Sequence, residues 1–194
     1  MYRKYIKRML DIFLAITLLP FLLLLTLILG PLIYLEDRGS PFYVSERLGK
    51  DGKVFKMYKF RTMKVNSPDI RNADGTTFNA RNDPRLTRIG AFLRSSSLDE
   101  LPQIINILKN EMSFIGPRPD LPEHIRLYNK EESMKLQVLP GITGYNQAYF
   151  RNSVDFRQRL KNDLYYVRNL SFCLDLKILI RTIETVVRKR GIYI

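Results

Sequence analysis

The chain has 194 residues and carries 32 Lys and Arg against 19 Asp and Glu, a formal charge of +13. That length holds one domain with a real core plus an accessory segment and excludes two ordinary domains. The charge calls for an anionic partner, with nucleic acid, an acidic membrane surface and phosphorylated small molecules as candidates. A lone Cys173 excludes a disulfide framework and reads as a small buried hydrophobe. A lone His124 excludes a His-rich zinc site, argues against a histidine nucleophile relay, and reads as structural or solvated.

The first element is a membrane segment. No side chain between residues 12 and 35 is charged, a run longer than the roughly 20 residues that cross a bilayer. Gly30-Pro31-Leu32-Ile33 continues the apolar stretch where a secretory signal would show a cleavage site, so the anchor is retained. Arg3, Lys4, Lys7 and Arg8 lie before it and a basic remainder after it, which draws both ends toward the cytoplasm. Pro20 frees a carbonyl and bends a helix. Hydropathy alone favours a single span kinked at Pro20; the alternative is a helix that enters one leaflet, turns there and returns.

Glu36 to Ser40 reads as a charged boundary, followed by strands at residues 42–44 and 54–60 joined by an Asp51-Gly52 hairpin turn. Lys53, Lys59 and Arg61 alternate with apolar residues in and after the second strand, either as a solvated face or as phosphate contacts. Residues 65–84 read as a polar loop with turns at Ser67-Pro68, Asp74-Gly75 and Asp83-Pro84. Helical periodicity returns at residues 89–93, 101–108 and 121–138.

Ser97-Leu98-Asp99-Glu100-Leu101-Pro102 sets two adjacent carboxylates among Arg81, Arg85, Arg88, Arg94 and Arg118. Proline is tolerated in the first turn of a helix, so this helix should begin near residues 99–101 with both acids at its N-terminus. There the helix dipole favours carboxylate and phosphate. The plain alternative is a capping box, since Ser97 and Glu100 have Ser-x-x-Glu spacing. Downstream, prolines on both sides stiffen the backbone around Arg118, as bidentate phosphate recognition requires, or simply make a rigid turn. Pro140-Gly141-Ile142-Thr143-Gly144 is a sharply turning loop, a connector or a close approach to ligand. Residues 170–187 form an amphipathic helix with a basic end, suited to packing or to anionic lipid.

These pieces together resemble the small monotopic phosphoglycosyl transferases, the bacterial sugar transferase family that starts glycan assembly on a polyprenol phosphate carrier. The resemblance rests on the basic start and apolar segment with Pro20, on Lys59-Phe60-Arg61-Thr62-Met63, on Arg94 through Gln103, and on Met112 through Pro119. Pro140 through Gly144 and Leu174-Asp175-Leu176-Lys177 complete it. It implies an α+β fold: an N-terminal re-entrant membrane helix (residues 1–35, with its break at Pro20), then a compact monotopic catalytic domain (36–194) containing a short β-hairpin and amphipathic interfacial helices. It reverses the preference for a span.

By the resemblance Asp99 is the nucleophile and Glu100 is catalytic and binds Mg2+. Arg94, Arg118, Lys59 and Arg61 would bind substrate phosphate. Pro117, Gly141, Thr143, Gly144, Gln147 and Arg151 would form the nucleotide-sugar loop. A carboxylate forms an aspartyl-phosphate without His or Cys. The implied reaction moves a phosphosugar from a UDP-sugar to polyprenol (undecaprenyl) phosphate through a covalent intermediate, releasing UMP, at the cytoplasmic face of the bacterial inner membrane. Expected partners are UDP-sugar, polyprenol phosphate and inner-membrane lipid, with downstream glycosyltransferases and a second copy of the chain admitted and no nucleic acid. Many relatives carry a Gln-Val-Asn-Gly-Arg-like run where this chain keeps Gln147 and Arg151 but has Tyr149-Phe150 between them, so sugar identity does not transfer. Without extra membrane helices, the chain is expected to be a minimal catalytic unit. The rival classes are a membrane-tethered nucleic-acid binder, which leaves the Asp99-Glu100 pair unexplained, and a magnesium-dependent lipid phosphatase, which would release phosphate instead of UMP.

Overall fold

The computed structural model describes residues 1–70, 78, 83–151 and 153–188; Arg81 and the Asp74-Gly75 turn lie outside the described residues. The fold is α+β. A helical turn at Tyr2–Ile6 leads into α1 (Lys7–Asp37). The leucine-rich sequence keeps α1 helical through Pro20 and Pro31, and Arg38 ends it in the left-handed region at φ 56°. The hydroxyls of Thr17 and Thr26 bond back to the carbonyls of Phe13 and Leu22, the pairing that bends apolar helices.

One stripe of α1 (Ala15, Leu22, Leu29, Ile33) is buried in the main core with Phe55, Met57, Phe60, Leu93, Ile104 and Ile107. The apolar core therefore crosses from the anchor into the rest of the chain. The opposite side, including Phe13, Ile16, Leu23, Leu24 and Leu27, is exposed, a larger apolar patch than a water-facing surface carries. Both ends of α1 dock on the same body. Near its start, Arg8 donates to the Ile107 carbonyl at 2.7 Å and Asp11 accepts from Ser113 Oγ and the Phe114 N–H, both at 3.0 Å. At its other end Asp37 pairs with Arg61 at 2.6 Å. Glu36 accepts from the N–H groups of Arg88 and Ile89 at the start of α2 (Arg88–Ser96), where a carboxylate is favoured by the helix dipole.

The hairpin forms as expected and longer: β1 (Phe42–Leu48) pairs antiparallel with β2 (Val54–Phe60), from Phe42 opposite Phe60 to Leu48 opposite Val54. Asp51 and Gly52, both at positive φ, make the turn. After α2, a 3₁₀ turn (Leu98–Glu100) leads into α3 (Gln103–Leu108).

Two segments expected as loops are strands. β3 (Ser113–Ile115) pairs in parallel with β4 (Gly141–Thr143). The crossing is so close that a Cβ on Gly141 would sit 2.1 Å from the Gly116 nitrogen, so the glycine serves backbone against backbone. The helix expected over residues 121–138 is instead two 3₁₀ segments, Pro122–Leu127 and Glu132–Gln137. Between them, Asn129 and Glu132 cap one another's N–H groups at 2.8 Å, so a new helical start competes with continuation.

A second core gathers Ile115, Val138, Ala148, Tyr166, Val167 and Ile178, using α4 (Tyr145–Tyr149), α5 (Phe156–Asn169) and α6 (Phe172–Val187). The sequence reading missed α5, because buried Asn162 and Asp163 break its apolar stripe. It did find α6, but Cys173 there is exposed rather than buried, since the second residue of α6 precedes the packed stripe of Leu174 and Ile178.

Candidate active site

The carboxylate pair is placed by a reversal of the chain. Ser97, at φ 59°, ends α2, and the next three residues form the 3₁₀ turn that carries Asp99 and Glu100. Leu98 and Leu101 pack into the main core, which fixes the turn between them. The expected capping box does not form: Ser97 makes no side-chain cap, and Glu100 pairs with Lys59 Nζ of β2 at 2.5 Å. Asn106 holds β2 to α3, accepting from the Tyr58 N–H at 3.1 Å and donating to the Lys56 carbonyl at 2.7 Å. That clamp sets the height of Lys59 over Glu100.

Asp99 and Glu100 have opposite electrostatic fates. Asp99 is 7% exposed, and among the described residues its carboxylate has neither a hydrogen bond nor an ion pair. Burial pushes its pKa up to about 6, with repulsion from Glu100 adding to it and Lys59, Arg94 and Arg118 opposing. For Glu100 burial also pushes upward, but Lys59 and Arg118 outweigh it and hold the group below the usual range. Adjacent acids driven apart in this way take different roles. Asp99 is the more basic carboxylate, still mostly ionised at neutral pH; Glu100 stays anionic.

Arg118 Nη1 stands 4.0 Å from Glu100. Arg151, just beyond α4, also acts on Glu100 electrostatically, so tertiary structure brings a residue 51 positions away in sequence to the pair. Arg94, in the last turn of α2, lies 3.9 Å from Asp83. Arg61 is not brought to the pair. Its guanidinium donates to Asp37, to the carbonyl of Ser40 and to that of Ile33, so it holds α1 rather than facing the carboxylates.

An open cleft lies beside Glu100. Lys59, Glu100, Arg118 and Gly141, all anticipated, line it. Arg47, Gln103, Asp120, His124 and Arg159 line it too and were not anticipated as site residues. For Arg47 a signal existed: it lies opposite Phe55, and alternation then puts it on the Lys59 face of the hairpin. For Arg159 there was none. The other loop residues support rather than line the cleft. The Pro117 carbonyl accepts from the Gly141 N–H, the Thr143 hydroxyl meets that of Thr182 at 2.8 Å, and Gly144 packs against the Gly116 carbonyl. Both polar atoms of the Gln147 amide are buried without a hydrogen bond among the described residues.

Behind the Arg118 loop is a buried charge cluster. Lys135 Nζ is 2.7 Å from both Asp120 and Asp163 and 3.3 Å from the Arg118 carbonyl. Asp120 also accepts from Tyr128 at 2.6 Å and Arg159 at 2.9 Å. Burial alone would raise Asp120, but Lys135 and Arg159 hold it well below the usual carboxylate range. Asp120 is thus neutralised from behind, and the cleft keeps a cationic character.

The chain matches the family model described as bacterial sugar transferase over residues 2–189. It is 38% identical to the UDP-galactose-lipid carrier transferase of Erwinia amylovora over 98% of the chain and 42% of that protein. It is 37% identical to the undecaprenyl-phosphate galactose phosphotransferase of Salmonella typhimurium over 98% of the chain and 42% of that protein. Identity to the exopolysaccharide production protein ExoY of Sinorhizobium fredii is 39%, over 96% of the chain and 88% of that protein. The chain thus spans less than half the length of the first two of these curated relatives and most of the third.

Proposed function

The chain belongs to the bacterial sugar transferase family, the polyprenol-phosphate phosphoglycosyl transferases, and from that premise we propose that it moves a phosphosugar from a UDP-sugar to undecaprenyl phosphate by way of Asp99. The observation that carries the reading is the pair itself: a buried carboxylate of raised basicity without a hydrogen bond, beside an ionised one at the edge of a cationic cleft. An Asp99 oxygen attacks the sugar-bearing phosphorus of the donor. The bond from that phosphorus to the bridging oxygen breaks, and UMP leaves with the electron pair. An oxygen of polyprenol phosphate then attacks the same phosphorus and expels Asp99, giving polyprenol diphosphate sugar. Both nucleophiles are already anions, so neither step needs a base, which accords with a chain holding one histidine. The cost is bringing anion to anion. Lys59, Arg94 and Arg118 offset it as preorganised positive charge.

Among the described residues no cluster of three or more metal-ligating side chains exists. Magnesium commonly takes one or two carboxylates and fills its shell with water and substrate phosphate, and Glu100 at the cleft wall fits that pattern. Glu100, exchanging Lys59 for the ion, would hold it. Bound there, magnesium supplies neutralisation of diphosphate charge.

The anchor is read as re-entrant. What supports the reading is that its residues 8–11 and 36–37 both dock on one folded body. This reading puts the bend at Pro20, through which α1 stays helical. The exposed apolar face of Leu176, Ile180 and Ile183 on α6 supports docking of the body at the cytoplasmic surface of the inner membrane, where the lipid phosphate lies.

The test is transfer of radiolabelled phosphosugar from a UDP-sugar mixture to the full chain without lipid acceptor, following UMP release, with Asp99→Asn as control. Label on the wild type alone supports the covalent intermediate. UMP release that requires lipid acceptor and leaves no label refutes it in favour of direct transfer, and free phosphate as product favours a lipid phosphatase.

A further inference from the structure

The proposed chemistry uses one end of the cleft and leaves the other unexplained. Arg47 and Lys59 face the same way from the hairpin. Arg47 is opposite Phe55, four residues from Lys59, so the two Cα positions are separated by about 13 Å along the strand. Met57 lies between them in the cleft wall.

Arg159 comes to the Arg47 end from α5. One guanidinium nitrogen donates to Asp120 at 2.9 Å, while its Nε is buried without a partner among the described residues. Leu48, next to Arg47, donates its N–H to the Asp120 carbonyl at 2.8 Å, so both arginines converge on one short stretch of backbone. The Asp120 carboxylate there is already taken by Lys135 and Tyr128. Arg159 thus gives one nitrogen to Asp120 and stands at the cleft wall, where Arg47 also stands. A buried donor lacking a partner costs free energy, and a forked cation is the group best matched to phosphate.

We propose that Arg47 and Arg159 form a second anion subsite of the cleft, which holds the nucleoside monophosphate half of the donor through its phosphate. This rests on the donor reading above. The donor then lies along the hairpin face, with the phosphosugar at Lys59 and Glu100 and the departing nucleotide toward Arg47. The side chains of Arg47 and Lys59 come onto one diphosphate only by reaching in over Met57, which lines the cleft between them.

The experiment is equilibrium binding of UMP to the full chain in lipid nanodiscs, which needs no turnover, for wild type, Arg47→Gln, Arg159→Gln and Arg159→Lys. The two glutamine variants should weaken UMP at least about tenfold, or roughly 1.4 kcal/mol. Arg159→Lys keeps the charge beside Asp120 and should lie between, which separates lost binding from lost folding. Binding of undecaprenyl phosphate should stay within about twofold in all four. UMP affinity within twofold of wild type in folded Arg47→Gln and Arg159→Gln overturns the subsite. Weakening of the lipid phosphate instead of UMP also overturns it and assigns that end to the acceptor. UMP binding that depends on both arginines, in a wild type that releases no UMP from any UDP-sugar, keeps the subsite and rejects the donor reading.

Discussion

Replacing Asp99 with asparagine should abolish turnover and, at neutral pH, stabilise the protein. The fold raises this acid from the ordinary 3.8 to about 6, chiefly through burial, so the folded state prefers the protonated form. Stability contributed by the group is then greatest below pH 3.8, declines as pH rises toward 6, and stays reduced above that. A shift of about two units corresponds to about 3 kcal/mol. Asparagine has nearly the same shape and no charge, so it recovers that amount above pH 6, less what its own amide loses on desolvation. For a chain of this length 3 kcal/mol moves the thermal midpoint by about 7 °C. Thermal unfolding in nanodiscs at pH 7.5 and pH 4.5 reads the difference: the variant should melt higher at pH 7.5, and the gap should shrink to about a third at pH 4.5. A variant that melts lower at pH 7.5, or a gap independent of pH, refutes the claim that Asp99 is held ionised against the preference of the fold. The wild-type rate should fall as pH drops through about 6, where the nucleophile becomes protonated.

Glu100→Gln removes the repelling neighbour of Asp99 and the partner of Lys59, so the acidic limb of any residual rate should move to lower pH; a full pH profile checks it. Lys135→Met leaves Asp120 and Asp163 buried without their cation, and should cost about 3–5 kcal/mol in thermal or chemical unfolding. Arg61→Met should lower the melting temperature, because Asp37 and the end of α1 lose their tie, while KM for the UDP-sugar stays within about twofold. A large KM change in a folded Arg61→Met protein would return Arg61 to phosphate binding.

Local sequence carries local physics, and what was legible followed from it. An uncharged run of this length is apolar enough for lipid in any fold, the Asp51-Gly52 turn prefers positive φ wherever it stands, and Asp99 and Glu100 are neighbours by covalent bond. The sequence therefore determined the anchor, the hairpin, the carboxylate pair and its basic surroundings. Which basic residue meets which acid was decided by tertiary structure. Lys59 reaches Glu100 across 41 residues because Asn106 clamps strand to helix, while Arg61, two positions on, leaves the strand and is taken by Asp37. The β3–β4 pairing was equally hidden, since parallel strands are joined only by long-range hydrogen bonds and Gly116-Pro117 reads locally as a turn. Arg159 and α5 were hidden for a related reason: their polar residues are buried against partners elsewhere in the chain, and a hydropathy pattern scores a satisfied buried charge as exposed. Hydropathy alone favours a single span, and only the family resemblance points to a return. Contacts at both ends of α1, made by residues far apart in sequence, tie it to the folded body in a way that composition does not encode.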